Sequence, residues 1–163
     1  MAKIEGLDNL SKKRLNNNRW MAASITTAMR QAGLAVQRES VILAPINTGG
    51  LRQSITVELG QDKPYPLSVI IGPSVKYGRF VEFGRKPGKA PPISAIEPWV
   101  RLKLKVARPR SLRVAYLVAR SIAKHGVKAK PFMEPGKKKA LPAIDAIFAR
   151  LRQDLAKAWG RKI

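Results

Sequence analysis

Between Trp20 and Leu43 apolar side chains return every three or four positions: Met21, Ile25, Ala28 with Met29, Ala32 and Val36, separated by polar residues such as Arg30, Gln31 and Arg38. That spacing predicts an amphipathic helix with one face to bury. Pro45 should end it, because the proline ring disfavours helical geometry at the preceding Ala44. The stretch before it, residues 6–18, carries only Leu7, Leu10 and Leu15 and reads either as a loosely attached short helix or as an arm. "NTGG" (47–50) predicts a turn in which Gly49 and Gly50 are free to take positive φ.

After that turn the period changes to two. Leu51, Ile55, Val57 and Leu59 share one face of an expected strand, with Arg52, Ser54, Thr56 and Glu58 on the other. Residues 60–66 form a loop, and "LSVIIG" (67–72) returns as a second strand, making a hairpin with a wide connection. Residues 75–83 read as a third extended piece, or a short turn and a strand, and at least one of Phe80 and Phe83 is expected in the core. From Ile93 the pattern is helical again. "SAIE" (94–97) matches a capping box, although Pro98 would remove a helical N–H one step later. Ile96, Trp99, Val100 and Leu104 make an expected buried stripe there. Ser111 can cap a further helix through Lys124, stopped by a left-handed Gly126. Leu141, Ile144, Phe148, Leu151, Leu155 and Ala158 alternate spacings of three and four along a last helix, with Pro142 acceptable in its first turn. This seam is expected to pack within the chain, because a helix, a small sheet and a last helix need one another to close a core.

The elements predict an α+β fold. A long N-terminal helix and C-terminal helices pack on a small antiparallel sheet, with an inserted helical pair and an extended basic loop. Length and 45% apolar residues fit one domain over residues 1–163. Within it, residues 1–18 form the arm or short helix, 19–90 the helix and sheet, 91–130 the helical insertion and 131–163 the C-terminal helix. The absence of cysteine removes disulfides and thiolate chemistry. No signal-like segment or run of about 18 apolar residues occurs, so a soluble, untargeted chain is expected.

Charge changes the picture most. Lys and Arg number 32 against 10 Asp and Glu, a net +22. Residues 101–163 hold 18 basic and 3 acidic residues, hence +15, and no acid interrupts residues 98–133. Such a field attracts a polyanion or an acidic protein surface. Catalytic constellations are absent from the pattern. The acids Glu82, Glu97, Glu134 and Asp145 stand singly, without the spacing of a metal site or an acid–base pair. "GRKPGK" lacks the register of a phosphate loop. His125, the one histidine, stands before Gly126, where it caps a helix end. No enzyme activity, cofactor or metal is expected. Glu82, between Val81 and Phe83, reads either as an exposed strand acid or as a buried partner for an arginine of the same or a neighbouring subunit.

Three pieces carry a resemblance: "APINTGGLRQSI" after a long helix, "YGRFVEFG" after a hairpin, and "KPFMEPG" before a C-terminal helix. In this order they resemble the head-tail joining, or tail-completion, neck proteins of long-tailed phages and prophages, the gp-ten-like family of phage HK ninety-seven, over about residues 20–160. The chain departs from that pattern at Asn47, where the family has an acid, at Gly50, where it has Arg, and at Arg85, where it has a small hydroxyl residue. Asn47 can still make the same side-chain turn bond.

The resemblance implies a non-enzymatic virion protein at the head–tail interface, present in the host cytoplasm during assembly. It implies a homo-oligomeric ring, hexameric, between the portal-adaptor or head-completion ring and the tail terminator or tail-tube proteins, with DNA passing through. Its motif residues here are Pro45, Thr48, Gly49, Leu51, Tyr77, Phe80, Glu82, Phe83, Gly84, Pro131 and Phe132. "YGRFVEFG" would fix a sheet edge where neighbours meet. Arg85, Lys86 and Lys89 would belong to an assembly loop that leaves the compact domain. Arg101, Lys103, Lys105, Arg108, Arg110, Lys137, Lys138 and Lys139 would face DNA without sequence preference, or an acidic partner, and no membrane is involved. The alternative is a nucleic-acid-binding protein in which "SLRVAYLVARSIAKHG" (111–126) is the second helix of a helix-turn-helix-like pair. Against it, Leu112, Val114, Tyr116, Leu117, Val118 and Ile122 surround that helix, a pattern that implies burial instead of a base-reading face. A ribosome-associated or RNA-coating protein would explain the charge but not the three motifs.

Overall fold

The computed structural model describes residues 7–63, 65–66 and 68–160, with the backbone alone for residues 7–18. Among these the order of elements is α1 (Leu7–Leu43), α2 (Gly50–Gln53), β1 (Ile55–Leu59), β2 (Val69–Pro73), α3 (Gly78–Phe83), α4 (Ile93–Leu104), α5 (Arg110–His125) and α6 (Met133–Ala158). The fold is α+β, with a long N-terminal helix and a small two-stranded antiparallel sheet. The expected helix over 20–43 ends where proposed, at Leu43, but starts earlier: from Leu7 the backbone is helical and continuous with it. Residues 1–6 of the expected arm, and the side chains of Leu7, Leu10 and Leu15, lie outside the described residues.

Contacts divide the chain into two compact units. The first comprises α1 as far as Glu39, Thr56–Gly72, and the chain from Gly136 onward. The expected apolar face of α1 is the inward one, with Ala28, Ala32 and Val36 buried. Gly33 is the point at which the hairpin reaches the helix: a Cβ there would stand 2.5 Å from Val57 Cγ1 and 2.8 Å from Val69 Cγ1. The alternation along β1 follows the period-two reading, with Val57 and Leu59 half-buried and Thr56 and Glu58 exposed. On α6 the seam is half-buried at Ile144, Phe148, Leu151 and Leu155, whereas Leu141 and Ala158 are exposed.

The second unit comprises Ser40–Ile55 and Pro73–Pro135. Here α4 and α5 form a helical pair around Ile96, Val100, Ala115 and Ala119, with Val106, Val114, Val118 and Ile122 packed against them. Ser111, Ala115 and Ala119 are buried at successive turns, and their small side chains let the two helices approach. The burial expected all round α5 is therefore not found: Leu112, Tyr116 and Leu117 are exposed. Trp99 and Leu104 are likewise exposed, so the buried stripe of α4 narrows to Ile96, Glu97 and Val100.

Several local expectations give way to longer-range contacts. Leu51 does not begin a strand; Gly50–Gln53 is a helical turn, and the strand starts at Ile55. Only Gly49 of the glycine pair takes positive φ, +86°. The "SAIE" box does not cap α4: Pro92 precedes the helix and no side chain caps it. Glu97 instead accepts hydrogen bonds from Arg108 Nε (2.8 Å), Arg108 Nη2 (3.1 Å) and Ser111 Oγ (3.1 Å). That engagement also corrects the capping role expected of Ser111, since α5 begins one residue earlier, after Pro109. At the other end of α5, Gly126 ends the helix as expected and donates to Ile122 O, although its φ +74° and ψ −161° are not the left-handed helical conformation expected of it. Pro142 is not in the first turn of α6, which starts at Met133 and runs through it.

The largest correction concerns residues 75–83. They form a turn and then the helix α3, Gly78–Phe83, so "YGRFVEFG" is not a sheet edge. Neither Phe80 nor Phe83 is a core residue, with relative exposures of 41% and 81%; the fully buried aromatic is Phe132.

Candidate assembly surface

In the second unit the segment after α1 is held by Arg52. Its guanidinium donates to Ala44 O (2.8 Å) and Ile42 O (2.9 Å), carbonyls left without intrahelical partners at the helix end. Pro45 then turns the chain, and Gly49 closes the next turn through its carbonyl, which accepts from Gln53 N. Leu51 is buried and Thr48 exposed. The backbone of Gly78 lies against Pro73 and Leu51, too close for a Cβ, and the Tyr77 hydroxyl stands beside Gly50. The first two sequence motifs therefore meet.

Glu82 joins the second motif to the third. Its carboxylate is buried and accepts from three successive backbone N–H groups: Phe132 (2.7 Å), Met133 (3.0 Å) and Glu134 (3.2 Å). These are donors of the first turn of α6, where a negative charge is favoured by the helix dipole. Glu82 is thus not an exposed strand acid, and among the described residues of this chain its partners are backbone N–H groups and not an arginine. It caps a helix from 50 positions away. Pro131, next to this cap, is exposed, as is Phe83, and Gly84 follows with φ +73°.

Beyond Gly84, Arg85 and Val127 form an antiparallel bridge through both N–H···O bonds, 2.9 and 2.8 Å. Gly84 and Gly126 flank it. Both have positive φ, and a Cβ on either would run into the opposite backbone, which is a specific reason for glycine at each. The basic loop is extended as expected, but it does not leave the unit freely: Gly88 N donates to Ala123 O at 2.8 Å, and the Arg85 guanidinium to Lys89 O. Lys86 and Lys89 are exposed. The guanidinium carbons of Arg79 and Arg85 lie 5.4 and 5.8 Å from the Phe80 ring centroid, within cation–π range.

These segments border one open, mainly apolar cleft of about 880 Å³. Pro45 to Gly49, Leu51, Tyr77 and Phe80 form part of its wall, Trp99 and Lys103 of α4 another part, and Val118, Ile122, Val127, Lys128 and Lys130 a third. Of the motif residues it therefore gathers Pro45, Thr48, Gly49, Leu51, Tyr77 and Phe80. Sequence reasoning missed Trp99, Val127, Lys128 and Lys130 as cleft residues, and Arg52 as a helix cap. Arg52 lay inside the quoted first motif and Lys130 opens the third; Trp99 was expected in the buried stripe of α4, and Val127 and Lys128 carried no local signal.

The basic residues singled out in the sequence do not form one set. Arg101, Lys105 and Arg110 are exposed, and Lys103 is an exposed cleft residue. Arg108 is committed to Glu97. Its hydrogen bonds hold the Glu97 carboxyl below the usual glutamate range, with Ser111 and the charges of Arg108 and Arg101 adding to an effect that desolvation opposes. Glu97 in turn raises the Arg108 pKa. Lys137, Lys138 and Lys139 are exposed on α6, in the other unit. His125 lies in the last turn of α5, its Nδ1 3.4 Å from Ser121 Oγ. Among the described residues no group of His, Asp and Glu could hold a metal ion, and no helix is long and apolar enough to cross a membrane.

No curated protein and no solved structure was found to match the chain. Residues 10–84 match the HK97-gp10-like family, whose description reads "Bacteriophage HK97-gp10, putative tail-component". The matched residues include the first two motifs and stop before the third. Over that length, from within α1 to the glycine after α3, the chain is similar to the HK97-gp10-like phage family.

Proposed function

We propose that this protein is a structural, non-enzymatic component of the tail or neck of a long-tailed phage or prophage, acting at the head–tail junction. In this reading it assembles as a hexameric ring between the portal-adaptor or head-completion ring and the tail terminator or tail-tube proteins, and the genome passes through. The observation that carries the reading is the match of residues 10–84 to a phage tail-component family. Two features of the chain support it. The motif segments converge on one cleft with aromatic and cationic walls, and the net charge of +22 suits a part that meets DNA or acidic protein surfaces. Deleting the gene from a phage or prophage that carries it should leave filled heads and finished tails that fail to join, with joining restored by the protein supplied in trans. Normal joining without it refutes the reading.

A second reading, a helix-turn-helix-like nucleic-acid-binding protein, is favoured by one observation: α4 and α5 pack as a pair, and α5 exposes Arg113, Arg120 and Lys124. A panel of duplexes separates the two. A ring that lets any genome pass contacts phosphates, so binding should be indifferent to sequence and fall steeply with salt. Neutralising Lys137, Lys138 and Lys139 should then weaken every duplex alike. One duplex preferred by about a thousandfold at physiological salt would favour the second reading.

A further inference from the structure

We infer that the cleft of the second unit receives an acidic amphipathic segment of a partner protein, apolar side chains on its floor and carboxylates against Lys103, Lys128 and Lys130. This rests on the assembly reading above and names the chemistry of the partner.

The floor and walls supply the apolar half of the recognition. Val81, Ile96, Val118 and Ile122 line the cleft, and Ile46 and Trp99 stand at it with 62% and 39% of their surface exposed. An exposed apolar cleft of this size takes a helix or extended segment with side chains spaced to fill it. Charge supplies the other half. The cleft is lined by three lysines and no acid. Arg79 and Arg85, against the Phe80 ring, add two more cations at the same wall. A segment entering here gains from carboxylates beside its apolar anchors and is repelled if it is basic.

The same charges argue against two other occupants. To enter this cleft a second copy would have to present carboxylates to Lys103, Lys128 and Lys130 from a chain with 32 cations and 10 acids, so the cleft is an unfavourable place for a contact between copies. Nucleic acid would find a mainly apolar floor where a phosphate track needs cations along its length.

The test uses the full chain with Trp20→Phe and Trp159→Phe. These replace two of the three tryptophans, both exposed, and leave Trp99 as the fluorescent reporter in the cleft. The probe is a synthetic helical peptide of about 14 residues, four turns, with Leu on one face and Glu elsewhere. One control replaces every Glu by Lys, another every Leu by Ser. The Leu/Glu peptide should shift Trp99 emission to the blue saturably, and neither control should. Lys103→Glu, Lys128→Glu and Lys130→Glu combined should weaken its binding at least tenfold. Because all three lysines are exposed, folding should survive, as an unchanged circular dichroism melt would verify; Ile46→Ser is the independent apolar variant and should also weaken binding.

Equal binding of the Ser/Glu peptide, or full binding by the triple variant, overturns the inference. A Trp99 shift that grows with protein concentration alone overturns it in favour of a second copy. An oligonucleotide that displaces the peptide from the cleft overturns it in favour of nucleic acid. Failure of the peptide titration while gene deletion still blocks head–tail joining removes only this inference; joining without the protein removes the assembly reading instead.

Discussion

Replacing Glu82 by alanine removes the acceptor of three backbone N–H groups at the start of α6. The Phe132 N–H is the costly one, because its residue is fully buried and water cannot replace the carboxylate. A buried donor left unpaired costs about 1–3 kcal/mol. Loss of the negative charge at the helix N-terminus adds about 0.5–2 kcal/mol in a partly buried setting. The Met133 and Glu134 donors are only partly buried and recover some of their loss from solvent. Glu82→Ala should therefore destabilise by about 2–4 kcal/mol, which for a chain of this size lowers the melting temperature by about 5–15 °C. Glu82→Gln keeps a carbonyl oxygen for the Phe132 and Met133 donors but gives up the charge, so its cost should be about 1–2 kcal/mol. Thermal and urea melts of the three proteins, followed by circular dichroism, measure the series. An alanine variant melting within about 2 °C of the parent, or a glutamine variant as damaged as the alanine one, would refute the capping role.

Phe132→Ala should cost about 3–5 kcal/mol by leaving a cavity, while Phe83→Ala, at an exposed ring, should change stability by less than about 0.5 kcal/mol; paired urea melts check both. Gly126→Ala should destabilise by more than about 1 kcal/mol, since a Cβ meets the Arg85 carbonyl and φ is positive, and hydrogen exchange should show the Arg85–Val127 bridge opened. The Glu97 carboxyl titrates lower folded than unfolded, so its contribution is present above the ordinary glutamate range and is lost as pH falls through the lowered folded value. Melts across that acidic window should therefore show Glu97→Gln losing less stability on acidification than the parent.

What could be read in the sequence was local. The end of α1 at Leu43 followed from Pro45, the alternation of β1 from its own residues, and the end of α5 from Gly126. What could not be read depends on contacts far along the chain. "YGRFVEFG" holds three aromatic residues and Val81, types that suit a strand, yet it is helical, with Gly78 set against Pro73 and Leu51 and Glu82 tied to residues 132–134. The first turn of α6, expected at Pro142, was misplaced for the same reason, because its cap comes from another element. Glu97 looked like half of a capping box because the spacing fitted. Its partners, Arg108 and Ser111, lie more than two helical turns onward. The cleft was half legible: the motifs named Tyr77, Phe80 and the Pro45–Gly49 turn, whereas Trp99, Lys128 and Lys130 come together only through the α4–α5 pair and the Val127 bridge.

Electron microscopy of virions carrying this protein with a C-terminal label tests the proposed place at the head–tail junction most directly. The label should form a single density at the neck of every joined particle, repeated in a closed ring. Label on the capsid shell, label at the far end of the tail, or joined particles with no label would contradict it.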